Sequence, residues 1–208
     1  MASRDNTPRD AGYWCVPISR AVVAATLGIF ITFSADHSPT LGLLAFGVFA
    51  GLSGLIIAGL SWRTLAAGIE RTVFVLSGAV SLLAGIAALV WSQGGLSFLL
   101  FLITSWAALT GVLELYTGIR SRRRHAASRD WIFLGALTTA FSLVVLVIPP
   151  DLQQPFSGAN GVSGVLSSSI VVVGALGAYG AIVAVYLVIA GLSLRWAPTT
   201  ASQDGIAS

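Results

Sequence analysis

The sequence predicts an all-α integral membrane protein whose six transmembrane helices form three hairpin repeats. Three observations carry that expectation. Of 208 residues, 56% are hydrophobic and only 9% charged, with a mean hydropathy of +0.89, whereas a water-covered domain carries about 25% charged residues. Six apolar stretches follow one another, each near the ~20 residues that cross a bilayer. The eleven basic residues, all arginine, fall only in alternate connections.

A polar arm, residues 1–17, holds Arg4, Asp5, Arg9 and Asp10 and leads into a first span at 18–34. The next spans are expected at 41–60, 72–91 and 96–118. A fifth, 131–148, ends at Pro149-Pro150, because proline lacks the N–H that would continue a helix. The sixth covers 170–194, and a polar tail, 196–208, closes the chain. The membrane domain is therefore 18–195, with hairpins at about 18–61, 71–119 and 131–195. Helix is expected over strand because lipid offers backbone groups no partner, and barrel strands alternate polar with apolar residues. Residues 143–148 are apolar throughout. The first span resembles a signal peptide in its flanks, but Phe33 stands where cleavage needs a small residue, so an uncleaved helix is expected.

Orientation follows from charge. The connections 35–40, 92–95 and 149–169 contain no basic residue. Arg63, Arg71, Arg129 and Arg195 join the other arginines on the opposite side, which the positive-inside rule places in the cytoplasm with both termini. An odd number of spans would break the alternation. Trp14, Trp62, Trp91, Trp131 and Trp196 fall at span ends, where an amphipathic indole suits the interface, while Trp106 lies inside the fourth span.

The even-numbered helices share a pattern of an aromatic residue, four residues, then glycine and an aliphatic residue. It runs from Phe49 to Gly54-Leu55, from Trp106 to Gly111-Val112 and from Tyr186 to Gly191-Leu192. The odd helices place small residues seven apart, on one helix face: Ala21 and Gly28, Gly78 and Gly85, Gly135 and Ser142. These matches suggest three hairpins, the last enlarged by a Gly/Ser-rich outside loop at 149–169. The stretch Trp-Ala-Ala-Leu-Thr-Gly-Val-Leu-Glu-Leu-Tyr-Thr-Gly-Ile-Arg at 106–120, followed by a basic loop and Trp131, resembles the short-repeat domain of the HdeD-like acid-resistance membrane proteins. Residues 20–28 and Pro39 at the outside turn are similar to the opening of that repeat, and the resemblance covers most of 18–195. It implies a small six-helix protein of the bacterial inner membrane, in a family with one member implicated in surviving acid, and it implies no molecular activity. The chain departs from the family pattern in its long loop before the sixth helix and in Gly94-Gly95, where a proline is usual.

An ionisable group inside a span costs roughly 2.5–3.5 kcal/mol at a helix centre on insertion scales. Glu114 is the acidic residue well inside a predicted span, and Arg20 and Arg71 begin odd helices at the same membrane face. An interfacial ion pair joining hairpins is the first reading; proton relay or ion coordination, and simple snorkelling, are the others. Asp36-His37 and Asp151 face outside, where acid adds charge to histidine and removes it from carboxylates, so Asp36 and His37 are candidate pH-responsive residues beside the plainer reading of solvated loop residues. Arg120, Arg122, Arg123 and Arg124, next to His125, are candidate contacts to anionic lipid headgroups, and a plain topology signal explains them equally. Glycine and alanine faces suit close helix packing in this chain, with a homo-oligomer or a membrane-protein partner as further options.

Cys15, the single cysteine, excludes an internal disulfide and any cysteine cluster; it reads as an interfacial or buried thiol, with acylation or redox chemistry as alternatives. Phosphate-binding loops, zinc-protease helices and nucleophile elbows are not found in the sequence. Gly158 to Gly164 has no strand before it and reads as a flexible loop. No enzyme activity, cofactor or nucleic-acid partner is expected, and the mid-helix acids and amides of an ion pathway are missing. The functional expectation is a non-enzymatic membrane protein in acid or envelope stress tolerance; the alternatives are a small-solute or proton-coupled transporter using Glu114, and an accessory membrane subunit.

Overall fold

A computed structural model describes residues 14–122, 124–125, 127–157 and 163–196. The arm before Trp14 and the tail after Trp196 lie outside the described residues, as do Arg123 and the tract 158–162. Six helices are long and apolar enough to cross a membrane: α1 (Cys15–Phe33), α2 (Pro39–Thr64), α3 (Ile69–Val90), α4 (Gly95–Arg120), α5 (Ser128–Val147) and α6 (Ser168–Arg195). Each lies within a few residues of its expected span. Where a helix runs past the apolar stretch, the extension is polar, as at Arg63-Thr64 of α2 and Ser128–Asp130 of α5.

The connections fall into two groups. Turns 34–38, 91–94 and the segment 148–167 lie at one end of the bundle; turns 65–68 and 121–127 lie at the other, where Arg63 and Arg71 flank the first and Arg122 and Arg124 lie in the second. At the first end, α2 starts on a built cap. The Ser38 hydroxyl accepts from the Leu41 N–H at 3.3 Å, and Pro39 occupies the first turn, where its missing N–H is harmless.

The Gly158–Gly164 tract, expected to have no strand before it, follows a strand, and its residues 158–162 lie outside the described ones. The arms of the segment before α6 form an antiparallel ribbon, β1 (Gln153–Ser157) and β2 (Ser163–Ser167), with Gln153 opposite Ser167 and Pro155 opposite Val165. A two-stranded ribbon tolerates Pro155, since each strand is an edge and a missing N–H can face away from the ladder. The ribbon is anchored where Ser168, opening α6, donates its hydroxyl to the Pro149 carbonyl at 2.7 Å. The fold is thus helical apart from this one ribbon.

The closest-packed helix pairs are α2 with α3, α4 with α5, and α1 with α6. The three outside-loop hairpins expected from the sequence are therefore not the packing units; the intimate pairs form across the arginine-end turns and between the first and last helices. The physical reason is where small residues meet. A Cβ on Gly54 would come within 2.6 Å of the Gly78 carbonyl oxygen, and one on Gly78 within 2.7 Å of the Ala58 nitrogen. On the next pair, a Cβ on Gly111 would meet the Thr139 nitrogen at 2.7 Å, and Gly135 is pressed against the Leu115 backbone. The α1·α6 pair is slightly looser, with 3.0 Å from a Gly28 Cβ to the Ala181 nitrogen. In lipid, where hydrocarbon solvates leucine as well as a neighbouring helix does, such backbone approach supplies the van der Waals contact that holds helices together.

Bulky side chains such as Phe30, Phe33, Leu83, Phe101 and Val185 are exposed around the outside of the bundle, as a lipid-facing belt requires. Trp62, Trp91 and Trp196 are exposed at helix ends, in the expected interfacial manner. Trp131 is not: it is buried against Phe74, ring centroids 4.9 Å apart, and tilted on His125.

Gly78→Ala should lower stability by about 1–3 kcal/mol through overpacking against the α2 backbone. Gly174→Ala should be close to neutral, since nothing lies within 4 Å of its added Cβ. Thermal unfolding of the two variants in the same detergent measures the difference, and equal midpoints would refute the close-packing argument.

Candidate functional site

Glu114 sits on the buried face of α4, four residues after Thr110, so both side chains point to the bundle axis. Arg20, on α1, reaches it with a fork: Nη1 donates to Oε1 at 2.8 Å and Nη2 to Oε2 at 3.4 Å. The two side chains are 14% and 7% exposed. Two charges so far from water are held only when paired, because the desolvation of either alone is not compensated. Arg71, the other candidate partner, goes elsewhere. Its guanidinium lies 4.3 Å from the Trp62 ring centre, across the α2·α3 pair. Arg195 makes the matching contact with Trp14 at 4.9 Å, across α1·α6.

Beside the ion pair the axis is polar rather than filled with aliphatic side chains. Ser53, Ser77, Ser81, Thr110, Thr138 and Tyr179 converge there, every one of them buried. Trp106, the tryptophan that the interface rule left unexplained, donates its indole N–H to the Ser81 hydroxyl at 3.0 Å, and Ser81 donates to the Ser77 carbonyl at 2.9 Å. Thr110 returns its hydroxyl to the Trp106 carbonyl at 2.7 Å. Thr138 and Tyr179 share a hydrogen bond of 2.9 Å. Around Trp106, the Phe46, Phe49 and Tyr179 rings stand edge-on at 5.2, 5.8 and 6.2 Å, and Phe141 stacks on Tyr179 at 4.5 Å. The α6 member of this aromatic group is Tyr179, not Tyr186 as the repeat alignment suggests. Tyr186 instead stacks on Phe133 and donates its hydroxyl to Asp130 at 2.8 Å.

All six helices line a chamber of about 20 Å³ beside Arg20 and Glu114. It lies between two apolar layers. Leu43, Phe46, Leu99, Ile103, Val173 and Leu176, with essentially no exposure, fill the axis toward the ribbon end. A smaller cluster of Val16, Ile57, Leu65, Phe74, Ala127 and Trp131 lies toward the arginine end, where a second, smaller cavity also reaches Arg20. The chamber is small, with both polar and apolar walls, and apolar layers flank it.

The remaining candidates do not join this site. Asp36 accepts from the Ser38 N–H at 2.8 Å and from the Ser38 hydroxyl at 2.9 Å, holding the turn before α2. His37, its sequence neighbour, has no hydrogen-bond or ion-pair partner among the described residues. Arg120, Arg122 and Arg124 are exposed at the end of α4 and in the turn beyond, while Arg123 lies outside the described residues. Cys15 opens α1, partly buried and free. Among the described residues no group of three or more His, Cys, Asp or Glu side chains is placed to hold a metal.

Sequence reasoning missed two further ties at the arginine end: Asp130 with Tyr186, and Glu70, which accepts from the Ser121 hydroxyl at 3.0 Å. It also missed the hydroxyl cluster by looking only for acids and amides. The available signal was polar residues four apart in apolar helices, Ser77 with Ser81 and Thr110 with Glu114, which must share a face.

An apolar groove of about 560 Å³ opens between α1 and α2, walled by bulky residues including Val22, Phe30, Leu44 and Val48. Arg20 aside, no α1 side chain hydrogen-bonds to α2 among the described residues.

A bundle of six such helices around a buried ion pair defines a multi-pass α-helical membrane protein. Residues 76–147, from α3 into α5, match the family described as a short repeat of unknown function, DUF308, the domain of HdeD-like proteins. No curated protein and no solved structure matches the chain. The matched stretch contains Ser77, Ser81, Trp106, Thr110, Glu114 and Thr138; Arg20, Ser53 and Tyr179 come from outside it.

Arg20→Ala should lower stability by about 3–5 kcal/mol, because it strands the Glu114 carboxylate in the bundle, and Glu114→Ala should also destabilise by breaking the pair. The double variant should cost clearly less than their sum, the signature of a direct interaction. Additive losses in unfolding experiments would show that the pair is not coupled.

Proposed function

We propose that this chain is a non-enzymatic, HdeD-like protein of the bacterial cytoplasmic membrane, with both termini in the cytoplasm, contributing to acid or envelope stress tolerance. The short-repeat match supports the HdeD-like part of the reading, and the arginine-only alternation of the connections supports the orientation. The observation that carries the non-transporting role is the fork between Arg20 and Glu114 in a bundle with apolar clusters on both sides of it. A carboxylate held by two guanidinium contacts is occupied in joining helices. Arg120, Arg122 and Arg124 then meet anionic headgroups at the cytoplasmic leaflet, about 1 kcal/mol each by the usual surface attraction.

A second reading, a small-solute or proton-coupled transporter, draws on one specific feature: the chamber beside Glu114 is polar and is lined from all six helices. An accessory role in a larger membrane assembly or a homo-oligomer would need a small-residue face toward lipid. The α1–α2 groove, walled by Val, Leu and Phe, lacks that character.

Acid survival of cells lacking the protein separates these readings. Wild type and well-inserted Glu114→Gln should restore survival equally if the carboxylate only joins helices. Loss of rescue by Glu114→Gln at normal membrane levels would favour transport, and a deletion strain with undiminished survival would refute the stress role. For the orientation, a Cys15→Ser background carrying His37→Cys should react with an impermeant maleimide on intact cells. Arg124→Cys should react only after permeabilisation, and the reverse pattern would invert the topology.

A further inference from the structure

Ser53 and Ser77 are the two hydroxyls of the chamber that the protein leaves without a partner. Each residue is 5% exposed, and neither side chain hydrogen-bonds to any described residue, although both line the chamber. Their neighbours show the usual alternative. Ser81 and Thr110 turn their hydroxyls back to the carbonyl four residues earlier, the local solution open to any serine or threonine in a helix. Ser53 and Ser77 do not take it; their oxygens face the open space of the chamber, unlike Ser61 Oγ, which is enclosed by packing.

The space beside them has the dimensions and chemistry of one kind of occupant. About 20 Å³ exceeds the roughly 10–15 Å³ that a single water molecule needs, and the walls supply more than the two to four polar partners such a water requires. Charge narrows the choice. Arg20 and Glu114 set opposite charges side by side, so a cation would meet the guanidinium and an anion the carboxylate. A neutral hydrogen-bonding molecule of water's size remains.

We infer that the chamber is a binding site for internal water, held by the Ser53 and Ser77 hydroxyls against the Arg20–Glu114 pair. Water bound there completes the hydrogen bonding of the two serines and places an exchangeable proton carrier beside the bundle's buried carboxylate. Apolar layers flank the site at either end. The site stands on the chamber itself and is independent of any role in stress tolerance.

Radiolytic labelling of the full-length protein in lipid nanodiscs, in 18O-labelled water, tests this directly, because bound water generates hydroxyl radicals where it sits. Phe49 and Phe46 are an internal comparison of one residue type on one helix: Phe49 lines the chamber, and Phe46 lies in the apolar layer above it. Phe49 should take up label several-fold faster than Phe46, and Trp106 and Tyr179 should label with it. In a Ser53→Ala/Ser77→Ala variant that keeps the wild-type unfolding midpoint within a few degrees, Phe49 should fall to the Phe46 rate. Equal labelling of Phe49 and Phe46 in the wild type would show a dry chamber and overturn the proposal, whether or not the double variant folds. Undiminished Phe49 labelling in a folded double variant would overturn the assignment to the two serines.

Discussion

Backbone-to-backbone approach at glycine is the constraint on which the rest of this bundle depends. Six apolar helices in lipid gain nothing by burying leucine against leucine, so the pairing must come from shape. Gly54 on Gly78 and Gly111 on Gly135 bring α2 to α3 and α4 to α5 closer than any side chain permits, and Gly28 with Gly180 does nearly the same for α1 and α6. Three tight pairs result. The first and last helices of the chain close into one of them, so the sequence order of hairpins is shifted by one helix in space.

Once pairs are formed by backbone contact, the polar side chains are left to join one pair to another. Trp106 to Ser81 and Ser121 to Glu70 fasten α4·α5 to α2·α3. Arg20 to Glu114, Thr138 to Tyr179 and Tyr186 to Asp130 fasten α4·α5 to α1·α6. Each of these is a contact between single side chains, and α4 or α5 takes part in every one. A buried polar contact of this kind adds directional specificity where apolar packing alone would let one pair slide along another, and that explains an ion pair whose net energetic return is small.

The number, order and approximate limits of the helices were legible because lipid imposes a length and an apolar composition that few other environments demand. The Arg20–Glu114 pair was legible for a related reason, since a carboxylate inside a span calls for a cation at the same depth. Arg71 was an equal candidate by sequence; only the packing of α3 on α2, which sets Arg71 beside Trp62, separates the two arginines. The hydroxyl cluster was hidden because a serine in an apolar helix can satisfy itself on its own backbone, so its presence alone signals nothing. The pairing of helices was misread for a geometric reason. Small residues seven apart mark a contact face but not its partner, and the loop-linked neighbour was the natural guess. The ribbon was read as part of an outside loop because the Gly/Ser content of 149–169 hides pairing between its arms.

The seams between pairs are unequal, and that inequality bears on how the bundle can move. Two of the three are crossed by several polar contacts, whereas between α1 and α2 the described residues other than Arg20 show no side-chain hydrogen bond, and the apolar groove opens there. Polar contacts are directional and resist sliding; apolar surface against lipid or against a helix is nearly interchangeable. Any separation of the pairs therefore costs least at α1–α2, along the edge of α1 that also carries Arg20. Because Arg20 is fastened to α4, movement at that seam must either carry α4 with it or break the ion pair. The same salt bridge at the bundle axis thus also limits movement at the α1–α2 seam.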